Sequence, residues 1–299
     1  MILKLDCSNI GFLFFTVFAV CLFSSWSMAQ NKPCEFNEKT LQFVGTPVEQ
    51  ARCLLRPNKI GGVLEQPLKN LPRPLEDLIG QAVVIKKESL RKFLTKHKID
   101  EATIGGKLDE SLSQSKLPNG DLIQTLYFII HDTSSPYLKD AAFPEHFDTD
   151  ANWKGNDLTI WLKQPVAHIF VNRLGDSITT TPFGETVRKG WGTKFARDFM
   201  KAPGKGLQIH IELMQPRRRD STNSNPENDL IAPFPGFTDK QYERLALLYI
   251  AASIRRGTWL IPAYHSAIDA GIKDAHDDPQ NFILDKFAEN LKTLLKKLK

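Results

Sequence analysis

The chain has 299 residues, a formal net charge of +5 and an apolar share of 41%, an ordinary globular composition. A charge this modest and this dispersed argues against a nucleic-acid binder and suits a polyanionic partner such as a cell wall or a membrane surface. No internal repeat or long low-complexity tract is present, so the length asks for one large domain or one domain with a smaller companion.

Ile10 to Phe23 is nearly all apolar, Lys4 and the amino terminus precede it, and Ser27-Met28-Ala29 follows. A short positive region, an apolar stretch and small residues at its end read as a secretory signal peptide over 1–29, cut after Ala29. The run is shorter than the ~20 residues that cross a bilayer, so no stable membrane span is expected after cleavage. The leader holds one lysine and one aspartate, Lys4 and Asp6, so its loss leaves the charge balance unchanged. The mature chain is expected to be exported, either periplasmic or secreted. Cys7 and Cys21 leave with the leader; Cys34 and Cys53 remain, and an oxidising compartment favours a bond between them over two free thiols.

Residues 30–118 differ in texture, with prolines at Pro47, Pro57, Pro67, Pro72 and Pro74. Helices are expected over Val48–Leu55 and Lys87–Lys96, and no cluster of catalytic type occurs. This part reads as an accessory layer packed on a main domain over 119–299. Turn chemistry at Leu117-Pro118-Asn119-Gly120-Asp121 opens the latter. Leu126 to Ile130 is apolar on both faces, as in a central strand covered from both sides. Val166–Asn172 and Ser177–Thr181 read as a hairpin. In Leu207–Leu213, Gln208, His210 and Glu212 share one face, which alternation assigns to a surface or a cleft. Arg217 to Asp229 reads as a polar, solvated loop or as a basic rim to the cleft. Thr238 and Gln241 make a capping box for a helix that ends at Arg255-Arg256-Gly257. Trp259–Ala263 is a short strand, and Phe282–Lys299 reads as a packed terminal helix with a basic outer face or, as the alternative, as a membrane-surface helix.

Three distant segments read together as one zinc site: Tyr127–Ser134, with His131 at a strand end; Leu207–Leu213, with Glu212 inside an apolar run; and Tyr264–Lys273 with Asp277-Asp278-Pro279 after it. Two histidines and a carboxylate leave zinc an open position for water, and a nearby glutamate can take the proton of that water. His210 shares a face with Glu212, and His168 begins a hairpin strand; a structural or rim role is the reading for His168.

The motifs resemble those of the zinc-dependent N-acetylmuramoyl-L-alanine amidases of the type 2 family, which includes phage lysozyme-type amidases and peptidoglycan recognition proteins. The matching stretches are Phe128-Ile129-Ile130-His131-Asp132-Thr133, Ile211-Glu212-Leu213, and His265-Ser266-Ala267-Ile268-Asp269-Ala270-Gly271-Ile272-Lys273 followed by Asp278-Pro279. The resemblance covers roughly 120–285. It implies an α/β fold with a mixed central β-sheet flanked by helices and an N-terminal accessory extension. It implies Zn2+ held by His131, His265 and Asp278, with Glu212 acting on the water and Lys273 stabilising negative charge. The implied substrate is peptidoglycan or a muropeptide, cut between N-acetylmuramic acid and L-alanine. Asp278 falls thirteen residues after His265, later than the family's usual spacing, and Gln280 stands where the family often has glycine. Asp277 and His276 therefore remain alternatives for the third ligand.

Two rival functions follow. A non-catalytic peptidoglycan-binding module would use the same scaffold without turnover. A zinc peptidase would cut within the stem peptide, since pocket shape decides which amide reaches the metal. Oligomeric state and stem-peptide preference leave no mark on the sequence.

Overall fold

The computed structural model describes residues 33–59, 63–188, 191–200, 205–219, 222 and 230–299; the leader read over 1–29 lies outside them. Five strands build the central sheet: β1 (Tyr127–Asp132), β2 (Ile169–Val171), β3 (Ser177–Thr179), β4 (Gln208–Leu213) and β5 (Ile261–Tyr264). The helices that concern it are α1 (Pro47–Leu54), α2 (Lys87–Lys96), α3 (Asp239–Arg256), α4 (His265–Ile268) and α5 (Leu284–Lys297).

The strand order is β5-β1-β4-β2-β3. β5, β1, β4 and β2 run parallel, and β3 returns antiparallel to β2 through a hairpin. The sheet is thus mixed and flanked by helices. The hairpin turn is set by Asn172, whose Oδ1 accepts from the N–H groups of Leu174 (3.1 Å) and Asp176 (2.9 Å). Parallel pairing brings like ends together. His131 stands opposite Glu212, Glu212 opposite Phe170, and Tyr264 opposite Ile130. The carboxyl edge of the sheet, where open α/β sheets bind ligands, therefore gathers His131, Glu212 and His265.

The two faces of the sheet differ in chemistry. Phe128, Ile130, Ile209, Ile211 and Val171 share one face and pack under α3, where the Phe128 and Tyr249 rings meet at 5.3 Å. The Thr238/Gln241 capping box starts α3, and Gly257, at φ +83°, ends it. A left-handed position there favours glycine, which has no Cβ to clash. α5 packs on α3 through Phe287, Ala288, Leu291 and Leu294 and turns its lysines outward, so the terminal helix is a packed one.

Gln208, His210 and Glu212 lie on the opposite face, as the alternation requires. The reading of that face as a surface or cleft is corrected for two of the three: Gln208 and His210 are buried. Chain from both sides covers them. Thr193 Oγ1 donates to Gln208 Oε1 (2.9 Å), and Phe195 stacks on Phe43 at 5.3 Å. The carbonyl oxygen of Gln208 thus has a partner, while its Nε2 is buried without one among the described residues.

The N-terminal residues contribute to the same core rather than to one of their own: Ala51, Leu54 and Leu90 belong to one cluster with Tyr127 and Leu260. The N–H of Phe43 donates to the Tyr127 hydroxyl (2.9 Å), which donates to Gln50 Oε1 (2.9 Å). Cys34 and Cys53, nineteen residues apart, form a disulfide that ties this segment to α1. Closing a loop of that length restricts the unfolded chain by about 3 kcal/mol. Cys53→Ser should therefore lower unfolding free energy by about 3 kcal/mol in urea titrations. Equal midpoints for wild type and variant would refute that.

Among the described residues, no helix is long and apolar enough to cross a membrane.

Candidate metal centre

β1 carries His131 one residue before its end, and β5 delivers His265 as the first residue of α4. Asp278 arrives from the loop after α4, whose course is fixed by the N–H of Ser266 donating to the Asp278 carbonyl (2.9 Å). The three side chains are buried, and their candidate ligand atoms lie within 4.8 Å of one another. His131 and His265 present Nδ1 to each other at 2.9 Å. Asp278 Oδ1 lies 2.9 Å from His265 Nδ1, and Oδ2 lies 3.4 Å from His131 Nδ1. Two imidazole nitrogens and a carboxylate oxygen converging in a buried place could hold a metal ion.

The neighbouring acids are directed elsewhere. Asp277 bonds Gln280 Nε2, and its Oδ1 lies 3.8 Å from Arg217 Nη2. The His276 side chain is 57% exposed, with Nδ1 3.7 Å from Asp278 Oδ1. Of the three alternatives, Asp278 is the one turned into the group. Gln280, at the position where glycine was expected, fastens this segment: its N–H donates to Asp132 Oδ2 (3.0 Å), and its Oε1 accepts from the N–H of Ala232 (3.1 Å).

Glu212 stands on the adjacent strand with Oε1 3.8 Å from His131 Nδ1 and its side chain 14% exposed. Its Oε2 is buried without a hydrogen-bond partner among the described residues. Burial, aided by the charge of Asp278, holds its carboxyl well above the ordinary range. An unpartnered buried carboxyl oxygen is costly, and one beside a metal-type donor set is a functional signal. Phe170 follows Glu212 across the sheet, and Trp161 stacks on it at 4.4 Å with its rings only 10° apart. The sequence reading did not single out this aromatic wall.

Lys273 is brought to the same loop but not into the group. It is exposed, and its carbonyl accepts from Lys194 Nζ (3.2 Å). Among the described residues, no hydrogen bond or ion pair joins its ammonium to the trio.

A second layer orients the histidines, as is usual around metal ligands. His265 Nε2 lies 2.9 Å from Asp269 Oδ2, and Asp269 also accepts from the N–H groups of Lys194 (3.0 Å) and Phe195 (2.8 Å). The sequence does hold this signal, since His265 and Asp269 are four apart at the start of a helix. His131 turns Nε2 to His210 Nδ1 at 2.9 Å. With a metal ion on His131 Nδ1, Nε2 would carry the proton and His210 Nδ1 would accept it. The backbone N–H of His210 donates to His168 Nδ1 (3.0 Å), which leaves His168 Nε2 to donate to the Glu185 carbonyl (3.1 Å). His168 is structural, and His210 is a partner of a candidate ligand.

Burial and the nearby His265 push His131 down to about 4, so it is neutral and available as a ligand. His265 behaves in the opposite way. Burial alone would lower it, but Asp278 and Asp269 outweigh that and hold it well above its ordinary range. Its folded pKa is thus raised, so its contribution to stability is complete below about 6.5 and is lost as pH rises through the folded value. A metal ion must displace that proton. Adding zinc to metal-free protein at neutral pH should release about one proton, and affinity should rise as pH rises from 6.5. Calorimetry in buffers of different ionisation enthalpy reads this; a pH-independent affinity with no proton release would contradict it.

Comparison with known proteins adds no relative: no family model, no curated protein and no solved structure matches this chain.

Proposed function

We propose that the chain is a zinc-dependent N-acetylmuramoyl-L-alanine amidase that hydrolyses the amide between N-acetylmuramic acid and L-alanine in peptidoglycan or muropeptides. The carrying observation is the buried His131, His265 and Asp278 group with the unpartnered carboxyl of Glu212 beside it. The motif resemblance supplies the substrate class. The donor set, two neutral-type nitrogens and one carboxylate with a free side, suits zinc in a hydrolytic site. The Cys34–Cys53 disulfide supports an exported setting, periplasmic or secreted.

His131, His265 and Asp278 would hold the ion, with Asp269 and His210 fixing the two imidazoles. Bound there, zinc would make water nucleophilic near neutral pH and polarise the amide carbonyl. Glu212 takes the proton from the attacking water and passes it to the departing amine nitrogen. Burial and the charge of Asp278 raise its carboxyl pKa above the ordinary range, the direction that helps it give the proton back. Phe170, opposite Glu212 on the neighbouring strand, and the Trp161 ring stacked on it offer an aromatic surface on the side of Glu212 away from His131. The motif resemblance gives Lys273, exposed on the loop after α4 and outside the group, the role of meeting negative charge that develops on the substrate.

The test is to incubate residues 30–299 with purified peptidoglycan, with and without a chelator, and to weigh the released material by mass spectrometry. Stem peptides beginning with L-alanine, lost under chelation and restored by zinc, are expected. Peptides cut within the stem would indicate a peptidase instead. Binding to the wall with no release in the presence of zinc would indicate a recognition module.

A further inference from the structure

The end of the sheet opposite the metal centre carries a second feature. An open groove of about 870 Å³ runs between the end of α5 and residues 73–89. Trp259 is in its wall, and β5 leads from there to His265. His265 follows Trp259 by six residues, four of those in between forming β5, so at ~3.3 Å each the groove lies up to about 20 Å from the trio. Its lining is apolar, with Leu78, Ile85, Trp259, Leu295 and Leu298. One bank is fastened to the body by backbone bonds: the N–H of Gly80 donates to the Trp259 carbonyl (3.0 Å) and the N–H of Val83 to that of Gly257 (3.0 Å). Val84, next along this bank, is 88% exposed.

The rim is cationic. Arg73, Lys86, Lys292, Lys296 and Lys299 border the groove, and the acidic side chain among them, Asp77, is paired to Arg73 at 3.6 Å. A smaller groove alongside shares Ser89, Leu298 and Lys299 and adds Lys92 and Lys96 from α2 and Lys297 from α5. Among the described residues, Lys86, Lys92, Lys96, Lys296 and Lys299 form no ion pair. A chain of modest net charge thus concentrates uncompensated lysines around one apolar groove.

We infer that this face docks on an anionic phospholipid surface, the lysines meeting headgroups while Val84 and the groove take apolar parts of the lipid. A soluble polyanion would engage the lysines and leave Val84 and the apolar wall without a partner. The docking uses the outer face of a packed helix, because α5 keeps Phe287, Leu291 and Leu294 in the core. In this pose the carboxyl edge of the sheet, with His131, His265 and Asp278, points away from the bilayer. The inference does not depend on the reaction proposed for that centre.

The experiment is co-sedimentation of residues 30–299 with vesicles of phosphatidylglycerol and phosphatidylcholine in equal parts, and with vesicles of phosphatidylcholine alone. Binding to the first and not to the second at low salt is expected. Each basic residue near such a surface contributes about 1 kcal/mol, so Lys296→Glu with Lys299→Glu should weaken partition by at least ~10-fold. Val84→Asn, which removes the apolar side chain without adding charge, should weaken vesicle binding while leaving binding of soluble polyphosphate unchanged. All three positions are exposed, and unchanged melting temperatures would show that the variants fold. The docking reading is overturned by no binding to anionic vesicles, by equal binding to neutral ones, or by vesicle binding that Val84→Asn leaves intact.

Discussion

Glu212→Gln is expected to lower turnover of a muropeptide by about 10²–10⁴-fold, the usual worth of a positioned general base, while zinc content stays at the wild-type level. The reason lies in the division of labour at the carboxyl edge of the sheet. His131, His265 and Asp278 point their ligand atoms at one another. Glu212 approaches only to 3.8 Å of His131 Nδ1 and keeps one oxygen without a partner. It is a neighbour of the trio rather than a member, so removing its charge leaves the donor set complete. His265→Ala, by contrast, removes a donor and leaves Asp269 and Asp278 facing each other without the cation between them. That variant should lose zinc and turnover together. Activity retained in Glu212→Gln would sink the proposed mechanism. Zinc loss in the same variant would make Glu212 a ligand and displace the reading from a different side.

How much of this was readable from residues alone depended on whether the signal was local. The capping box at Thr238 and Gln241, the glycine after Arg256 and the alternation in Gln208–Leu213 are short-range signals, and each has its expected counterpart in the fold. The disulfide was legible because two cysteines remained after the leader was set aside. Alternation correctly put Gln208, His210 and Glu212 on one face but could not say what covers that face. Thr193 and Phe195 and the aromatic side chain of Phe43 come from far along the chain, and they turn an assumed cleft into a buried layer. The choice between Asp277 and Asp278 was likewise not local. Arg217 and Gln280 draw Asp277 away, and Asp278 is the acid that stands with the two histidines. Asp269 stands at helical spacing from His265, but Asp277 and Asp278 carry the same carboxylate chemistry a few residues on, and only the fold separates their roles.

Arg217→Ala should cost about 3–5 kcal/mol of stability, the typical effect of breaking a buried ion pair from one side. Composition read this residue as the start of a solvated loop, and the structure corrects that reading. Residues 218–219 do continue outward to pair with 230–231, but Arg217 itself is 1% exposed. Its Nη2 donates to Asp132 Oδ2 at 2.6 Å, and Asp277 Oδ1 lies 3.8 Å away. Burial by itself would lower the guanidinium pKa; the acids Asp132, Asp277 and Asp278 outweigh that and keep it firmly charged. Asp132 needs this cation. Its side chain is wholly buried directly after His131, and its Oδ1 accepts from the N–H (2.8 Å) and hydroxyl (3.0 Å) of Ser134. Its Oδ2 also accepts from the N–H of Gln280 (3.0 Å), and its own N–H donates to Asp278 Oδ2 (3.2 Å). The pair therefore joins the end of β1 to the loop that carries the third candidate ligand. Removing the cation strands a buried carboxylate and loosens that joint, so urea titration should show the loss of stability and zinc affinity should fall with it. Replacing both partners, Arg217→Met with Asp132→Asn, should destabilise less than Arg217→Ala, because no unpaired charge is left inside. A double variant less stable than the single one would mean that the shape of the guanidinium, rather than its charge, holds the segment.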